Sequence, residues 1–186
     1  MQHRLRFAAV ALATVVMTAG GMGVLAPAAQ GATTGNTTAT FSITGGVLSI
    51  TVPASTVNLG STAAGSLSYG PAALGSTTVA DNRGNLVAVW TVTVSSTDFA
   101  NTTTGGSSAD ETVTKANVAY VSGAATNTTG TGAFVPGATT GSGGTGAAFA
   151  SGVGVNSATW NPTLAFTLRS SQVTGTYSGT ITQSVA

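Results

Sequence analysis

This sequence has no cysteine and very few charged residues. Without cysteine there is no disulfide and no thiolate, so an exported form must be stable through its core alone. The single histidine, His3, lies in an N-terminal segment that we expect to be removed. A mature chain without Cys or His has no ordinary catalytic triad and no imidazole metal site. We therefore expect a protein that is not an enzyme and that binds no cofactor or metal.

One catalytic alternative stays open, because two carboxylates can hydrolyse a glycoside between them. The candidate acids are Asp81, Asp98, Asp110 and Glu111. Nothing in their spacing indicates that two of them meet. A Ca²⁺ site at Asp110 and Glu111 is equally unsupported, since Ca²⁺ takes about 6–8 oxygen ligands.

The N-terminus has the three-part layout of a secretory signal peptide. Basic residues precede an apolar run that begins at Phe7, and small residues with Pro27 follow. Three glycines interrupt the run, which favours cleavage over a membrane span of roughly 20 apolar residues. We expect residues 1–32 to be a cleaved signal peptide and residues 33–186 to be one secreted domain with no membrane span.

Removal of that segment leaves three basic and four acidic residues, a net charge of −1. No basic patch remains, so binding to nucleic acid is not expected. Polarity comes instead from Thr, Ser and Asn, and threonine favours strands because it is β-branched. The composition predicts an all-β domain with a hydroxyl-rich exterior.

Residues 88–95 carry the pattern of a half-buried strand. Apolar side chains, including Trp90 and Val92, alternate with Thr and Ser, so one face should be buried. Asp81 to Gly84 should form the turn before this strand, with a local ion pair between Asp81 and Arg83. Trp90 could stack on a ligand, but a tryptophan on the apolar face of such a strand is usually a core residue.

Other segments extend the β pattern on either side. Residues 40–44 and 48–52 alternate around Gly45-Gly46 and predict a hairpin, and Pro71 should end a short strand that contains Tyr69. Residues 122–152 are mostly Gly, Thr, Ala and Ser, so we expect this region to be flexible and the least ordered, with short strands only where Phe134, Val135 and Phe149 could pin them. Two long strands near the C-terminus, 160–168 and 176–185, should pair with each other. The fold class is an antiparallel β-sandwich of the Ig-like or Greek-key kind.

Three short motifs resemble the WxL domain family of bacterial cell-surface proteins. The first is Asp81-Asn82-Arg83-Gly84 followed by Trp90-Thr91-Val92, where the family usually has Leu at the position of Val92. The second is Asn117-Val118-Ala119-Tyr120. The third is Trp160-Asn161-Pro162-Thr163-Leu164 followed by Gly175 to Thr182. Family members usually carry a second motif tryptophan in the final strand, near the position of Gln183 in this sequence.

The resemblance implies an exported, non-catalytic protein held non-covalently at the cell wall of Gram-positive bacteria, where it contacts peptidoglycan. It implies a partner that is cell-wall glycan or another surface protein. The motif residues Asp81, Arg83, Gly84, Trp90, Val92, Trp160, Pro162 and Leu164 are expected to be mostly structural, and Trp160 is the candidate for a surface contact. A self-assembling surface or fibre subunit is the alternative, because strand edges with few charges tend to pair.

Overall fold

The computed structural model describes residues 35–53 and 56–186, and the predicted signal peptide, residues 1–32, lies outside them. The chain divides into two units, Met1–Phe41 and Ser42–Ala186. Within the described residues, all strands and helices belong to the second unit. No helix in the described ranges is long and apolar enough to cross a membrane.

The second unit is almost entirely β-structure. Its strands are β1 Leu48–Thr51, β2 Ser68–Ala73, β3 Thr77–Asn85, β4 Trp90–Ser96, β5 Phe99–Asn101, β6 Thr112–Val113, β7 Val118–Val121, β8 Ala125–Thr129, β9 Ala133–Pro136, β10 Ala138–Thr140, β11 Gly144–Ala150, β12 Gly154–Trp160, β13 Thr163–Thr167, β14 Tyr177–Ser178 and β15 Ile181–Val185. Two short 3₁₀ helices occupy Ala109–Glu111 and Lys115–Asn117.

Every strand pair is antiparallel, and the pairs form four ladders. Their strand orders are β1-β3-β12-β8, β10-β7-β13-β2, β15-β4-β11-β9 and β14-β5-β6. These antiparallel sheets pack in a sandwich-like arrangement, which confirms the predicted antiparallel β-sandwich.

The two layers meet at an aromatic core. Trp90 of β4 stacks on Trp160 of β12, with ring centroids 6.2 Å apart, and on Phe149 of β11 at 5.4 Å. Phe134 of β9 lies 5.2 Å from the Trp160 ring. Both tryptophans are buried. The prediction that Trp90 is a core residue is confirmed.

The alternation of β4 was predicted correctly, whereas the turn before it was not. Trp90, Val92 and Val94 are buried and the hydroxyl side chains between them are exposed. Residues 81–84 belong to β3, although Gly84 has the positive φ of +70° that a turn glycine would have. The crossing, where the chain passes from the sheet of β3 to the sheet of β4, comes later, at residues 86–89.

Three other local predictions are wrong. Residues 40–44 form no strand; β1 pairs instead with β3, which is more than 25 residues away. Pro71 lies inside β2, where a missing N–H is tolerated because β2 is the outermost strand of its ladder. The two C-terminal strands do not pair: β13 lies between β7 and β2, and β15 pairs with β4.

The region 122–152 holds four strands, β8 to β11, and Phe134, Val135 and Phe149 lie in β9 and β11, where short strands were expected. Its small residues permit close packing. A Cβ on Gly146 would lie 2.2 Å from Cγ2 of Val94 on the paired strand β4 and 3.1 Å from the Tyr120 ring of β7, so a larger residue there would force its neighbours to shift. Phe134 and Phe149 supply the apolar area that the composition seemed to lack. The glycines and alanines here serve packing.

Candidate functional site

The motif residues that the sequence singled out are mostly buried. Trp90, Val92, Trp160, Pro162 and Leu164 all lie in the core. Trp160 has 0% of its surface exposed, so the predicted surface contact at Trp160 is wrong. Its indole N–H is also occupied, since it donates to the Tyr120 hydroxyl at 3.1 Å. The two-residue alternation along the strand predicted that Trp160 and Leu164 share one face, and that face points inward.

Asp81 and Arg83 form the expected local pair, but Asp81 is not a surface residue. Its side chain has no exposed area. The Arg83 Nε donates to Oδ1 of Asp81 at 2.9 Å, and Nη2 donates to Oδ2 at 2.8 Å. Nη2 also donates to the Val89 carbonyl at 2.9 Å. The guanidinium lowers the pKa of Asp81, mainly through the side-chain hydrogen bonds. The pair thus holds the crossing at residues 86–89 against β3.

The Trp90 side chain is held from the other side of the same crossing. Its indole N–H donates to Oδ1 of Asn156 at 2.8 Å, and Nδ2 of Asn156 donates to the Ala88 carbonyl at 2.9 Å. Asn156 is buried, and no sequence signal singled it out. The motif residues therefore fix the crossing between layers.

The other acids are each engaged in separate local structure. Asp98 accepts from the Lys115 backbone N–H at 2.7 Å, and Asp110 accepts from the Ser171 hydroxyl at 2.8 Å. Hydrogen bonds from the side chains of Thr104 and Ser108, and from the Ser108 N–H, lower the pKa of Glu111 to about 2. In the described part of the chain, no three His, Cys, Asp or Glu side chains are grouped closely enough to hold a metal ion.

A groove of about 880 Å³ opens where β5, β13 and β14 end. One wall is the segment 56–66 before β2, and the other is the segment 172–180 that contains β14. Its floor is apolar and aromatic, formed by Tyr69, Phe99, Val113, Phe166 and Leu168. A volume of this size is typical of sites that bind small molecules or short chain segments.

The aromatic floor is held in place by ring contacts. Phe99 meets Phe166 edge to face with centroids 5.0 Å apart, and Tyr69 stacks on Phe166 at 6.1 Å. The Tyr69 hydroxyl donates to the Leu59 carbonyl, which ties the floor to the first wall.

The second wall is anchored to β5 by the buried side chain of Asn101. Asn101 donates from Nδ2 to the Thr174 carbonyl at 3.2 Å and accepts from the Thr103 N–H at 2.9 Å. Within the wall, the half-buried Tyr177 donates from its hydroxyl to the Val173 carbonyl at 2.6 Å. Hydrogen bonds within the protein therefore hold both walls in place.

Every described residue that lines the groove is uncharged. The polar groups along its walls are hydroxyls and amides, including Asn58, Ser61, Gln172, Thr174 and Thr176. The hydroxyls of the two lining tyrosines, Tyr69 and Tyr177, are both engaged with backbone carbonyls. This arrangement suits a neutral ligand with apolar faces and hydroxyl or amide edges.

Sequence reasoning missed this groove, because its residues were assigned only to short strands and connections. The available signal was weak: two tyrosines, Tyr69 and Tyr177, each beside a segment rich in Ser and Thr. Comparisons with protein-family models, with curated proteins and with solved structures found no match for this chain.

Proposed function

We propose that this chain is an exported, non-catalytic surface protein that associates with the cell wall and binds wall glycan in the groove. The observation that carries the proposal is the neutral groove with its aromatic floor. Sugar rings offer apolar faces and hydroxyl edges, and peptidoglycan glycan adds amide groups. The Tyr69 and Phe166 rings can contact such faces, while hydroxyls and amides on the walls can bond to the edges.

The absence of charge from the groove lining also argues for binding rather than catalysis there. Glycoside hydrolysis needs two carboxyl groups about 5–10 Å apart across the sugar. None of the described lining residues is an acid. The carboxylates of Asp98, Asp110 and Glu111 bond instead to local backbone or hydroxyl groups.

The decisive experiment is co-sedimentation of the mature chain, residues 33–186, with purified cell walls stripped of protein. We expect the protein to pellet with the walls at low and at high salt, because a neutral site has little electrostatic attraction for salt to screen. Protein that stays in the supernatant at both salt concentrations would show that wall association is wrong. Binding only to unstripped walls would show that the partner is another surface protein.

A carboxylate placed in the groove tests the site itself. Thr174 is exposed and lines the groove, whereas Thr182 is exposed on β15 and does not. We expect Thr174→Glu to weaken wall binding about tenfold or more, because a bound neutral ligand would cover the carboxylate and remove it from water without giving it a charged partner. The matched Thr182→Glu variant should bind like the parent. Equal binding by both variants would exclude the groove as the contact.

A further inference from the structure

One side chain that lines the groove carries an acceptor that the protein itself does not use. Gln172 belongs to the second wall and is half-buried. Its Nε2 donates to the Asp110 carbonyl at 2.8 Å and to the Tyr177 hydroxyl at 3.0 Å. A backbone carbonyl only accepts, so the amide must turn Nε2 towards Asp110. Oε1 is the other end of that amide, and no hydrogen bond reaches it from the described residues.

Tyr177 secures this orientation of the Gln172 amide. Its hydroxyl lies 2.6 Å from the Val173 carbonyl and 3.2 Å from the Asp110 carbonyl, and the proton goes to the shorter contact. The hydroxyl oxygen is then an acceptor for Nε2 of Gln172. Gln172 therefore presents a fixed acceptor on the wall, and a ligand does not have to reorganise it.

The same wall supplies donors close to that acceptor. Thr174 and Thr176 are exposed and line the groove. In the part of the chain that the structure describes, no hydrogen bond engages either side-chain hydroxyl. Hydroxyls rotate and can donate to a carbonyl oxygen. An acceptor beside free hydroxyls suits a ligand group that has both an N–H and a C=O, which is a secondary amide.

The rest of the lining distinguishes an amide from an amine or a plain hydroxyl. Phe99, Phe166 and Leu168 form apolar floor that a methyl group can cover. A hydroxyl can bond to Gln172 but leaves that floor in water. A protonated amine would lose its water without gaining a charged partner, since no described lining residue is an acid.

We propose that the sugar bound in the groove is N-acetylated and that Gln172 selects it. The acetamido N–H donates to Oε1 of Gln172, its carbonyl accepts from a wall hydroxyl, and its methyl group contacts the apolar floor. This inference rests on the proposed function and specifies the ligand of that site.

Three soluble tetrasaccharides test the choice of sugar: those of N-acetylglucosamine, glucose and glucosamine. Their binding to residues 33–186 is measured by titration calorimetry at mildly acidic pH, where the glucosamine amines are protonated. We expect the acetylated tetrasaccharide to bind about tenfold or more tightly than either of the others. Equal binding of all three, or binding of none, would overturn the inference. Co-sedimentation tests the proposed function separately, so a protein that pellets with walls but shows no such preference overturns this inference alone.

The role of Gln172 is tested by Gln172→Met, which keeps the length of the side chain and removes Oε1. We expect this variant to bind the acetylated tetrasaccharide about tenfold more weakly. Ser171→Ala is the matched control, because Ser171 is adjacent, exposed and bonded to Asp110 but does not line the groove. It should bind like the parent, and circular dichroism checks that both variants fold.

Nuclear magnetic resonance separates direct contact by Gln172 from a merely structural role. The side-chain amide signals of Gln172 are identified in the parent by their loss in Gln172→Met. They should shift on addition of the acetylated tetrasaccharide and shift less with the glucose tetrasaccharide. Unchanged binding by Gln172→Met, or amide signals that do not move with the acetylated sugar, would overturn the assignment of Gln172.

Discussion

Replacement of Arg83 by methionine tests whether the buried Asp81 carboxylate depends on its guanidinium partner. Methionine keeps much of the apolar stem but removes the bonds to Asp81 and to the Val89 carbonyl. Removal of one partner from a buried ion pair costs about 3–5 kcal/mol. The Arg83 side chain is 32% exposed, so solvent already screens part of the attraction. We expect a loss of about 2–4 kcal/mol in the free energy of unfolding.

The matched control is Arg169→Met. The Arg169 Nη1 lies 4.0 Å from Oδ1 of Asp110, and both side chains are 49% exposed. A pair of this kind contributes about 0–1 kcal/mol. Urea denaturation of both variants at pH 7 measures the difference directly. If Arg83→Met loses no more stability than Arg169→Met, the interpretation of Asp81 as a buried, partner-dependent carboxylate is wrong.

The pH dependence of the free energy of unfolding is a second, independent test of the Asp81–Arg83 pair. The pKa of Asp81 is lowered in the folded chain from its usual value of 3.8. Its contribution is therefore present above about pH 4 and is lost as the pH falls through the folded-state pKa. Without Arg83, burial raises the pKa of Asp81. Protonation of Asp81 at acidic pH then removes the unpaired buried charge that destabilises the variant. The stability gap between parent and Arg83→Met should narrow on acidification, and a constant gap from pH 7 to pH 3 would contradict this account.

Two further predictions concern packing and an exposed acid. Gly146→Ala should lower the free energy of unfolding, measured by urea denaturation, by about 1–3 kcal/mol, because the new Cβ would lie 2.2 Å from Val94 and 3.1 Å from the Tyr120 ring. Gly35→Ala, whose Cβ would meet no atom within 4 Å, should leave it nearly unchanged. Glu111→Gln should lower the thermal midpoint at pH 7 and should have little effect on it near pH 2. The pKa of Glu111 is lowered from 4.5 to about 2 in the folded chain, so the stability that its carboxylate contributes is lost as the pH falls from 4.5 to about 2. Equal effects of the substitution at both pH values would contradict this prediction.

The faces of the strands could be predicted from the sequence, but their partners could not. Period-two alternation correctly placed Trp90 and Val92 inside, and it did the same for Trp160 and Leu164. Alternation fixes which side of a strand is buried, since it follows from backbone geometry. It says nothing of which strand lies alongside. The C-terminal strands β13 and β15 are separated in the sequence only by the short β14, and yet they belong to different sheets.

The groove could not be predicted because its residues are brought together only by that pairing. Tyr69, Phe99 and Phe166 come from three strands that are far apart in the chain. Small residues hid the extent of the strands in 122–152 for a related reason. Glycine and alanine lower local strand propensity, but tertiary packing of β11 against β4 makes small side chains necessary there.

The position of Gln183 bears on how the resemblance to WxL domains should be understood. The Tyr120 hydroxyl donates to Oε1 of Gln183 at 3.2 Å, and Nε2 of Gln183 donates to the Thr77 hydroxyl at 3.3 Å. Trp160 enters the same chain of bonds through Tyr120. A glutamine at this position is therefore a partner for core groups.

Trp90 and Trp160 are core residues as well, so a tryptophan in place of Gln183 would change the interior rather than the groove. The wall binding that we propose would then depend on Tyr69, Phe166 and the uncharged walls around them rather than on the motifs. Gln183→Leu separates these two ideas. It should lower stability by about 1–3 kcal/mol, because the Tyr120 hydroxyl loses its acceptor, and it should leave wall binding unchanged. If the Gln183→Leu protein folds but no longer binds the wall, the motif region rather than the groove makes the contact with the wall.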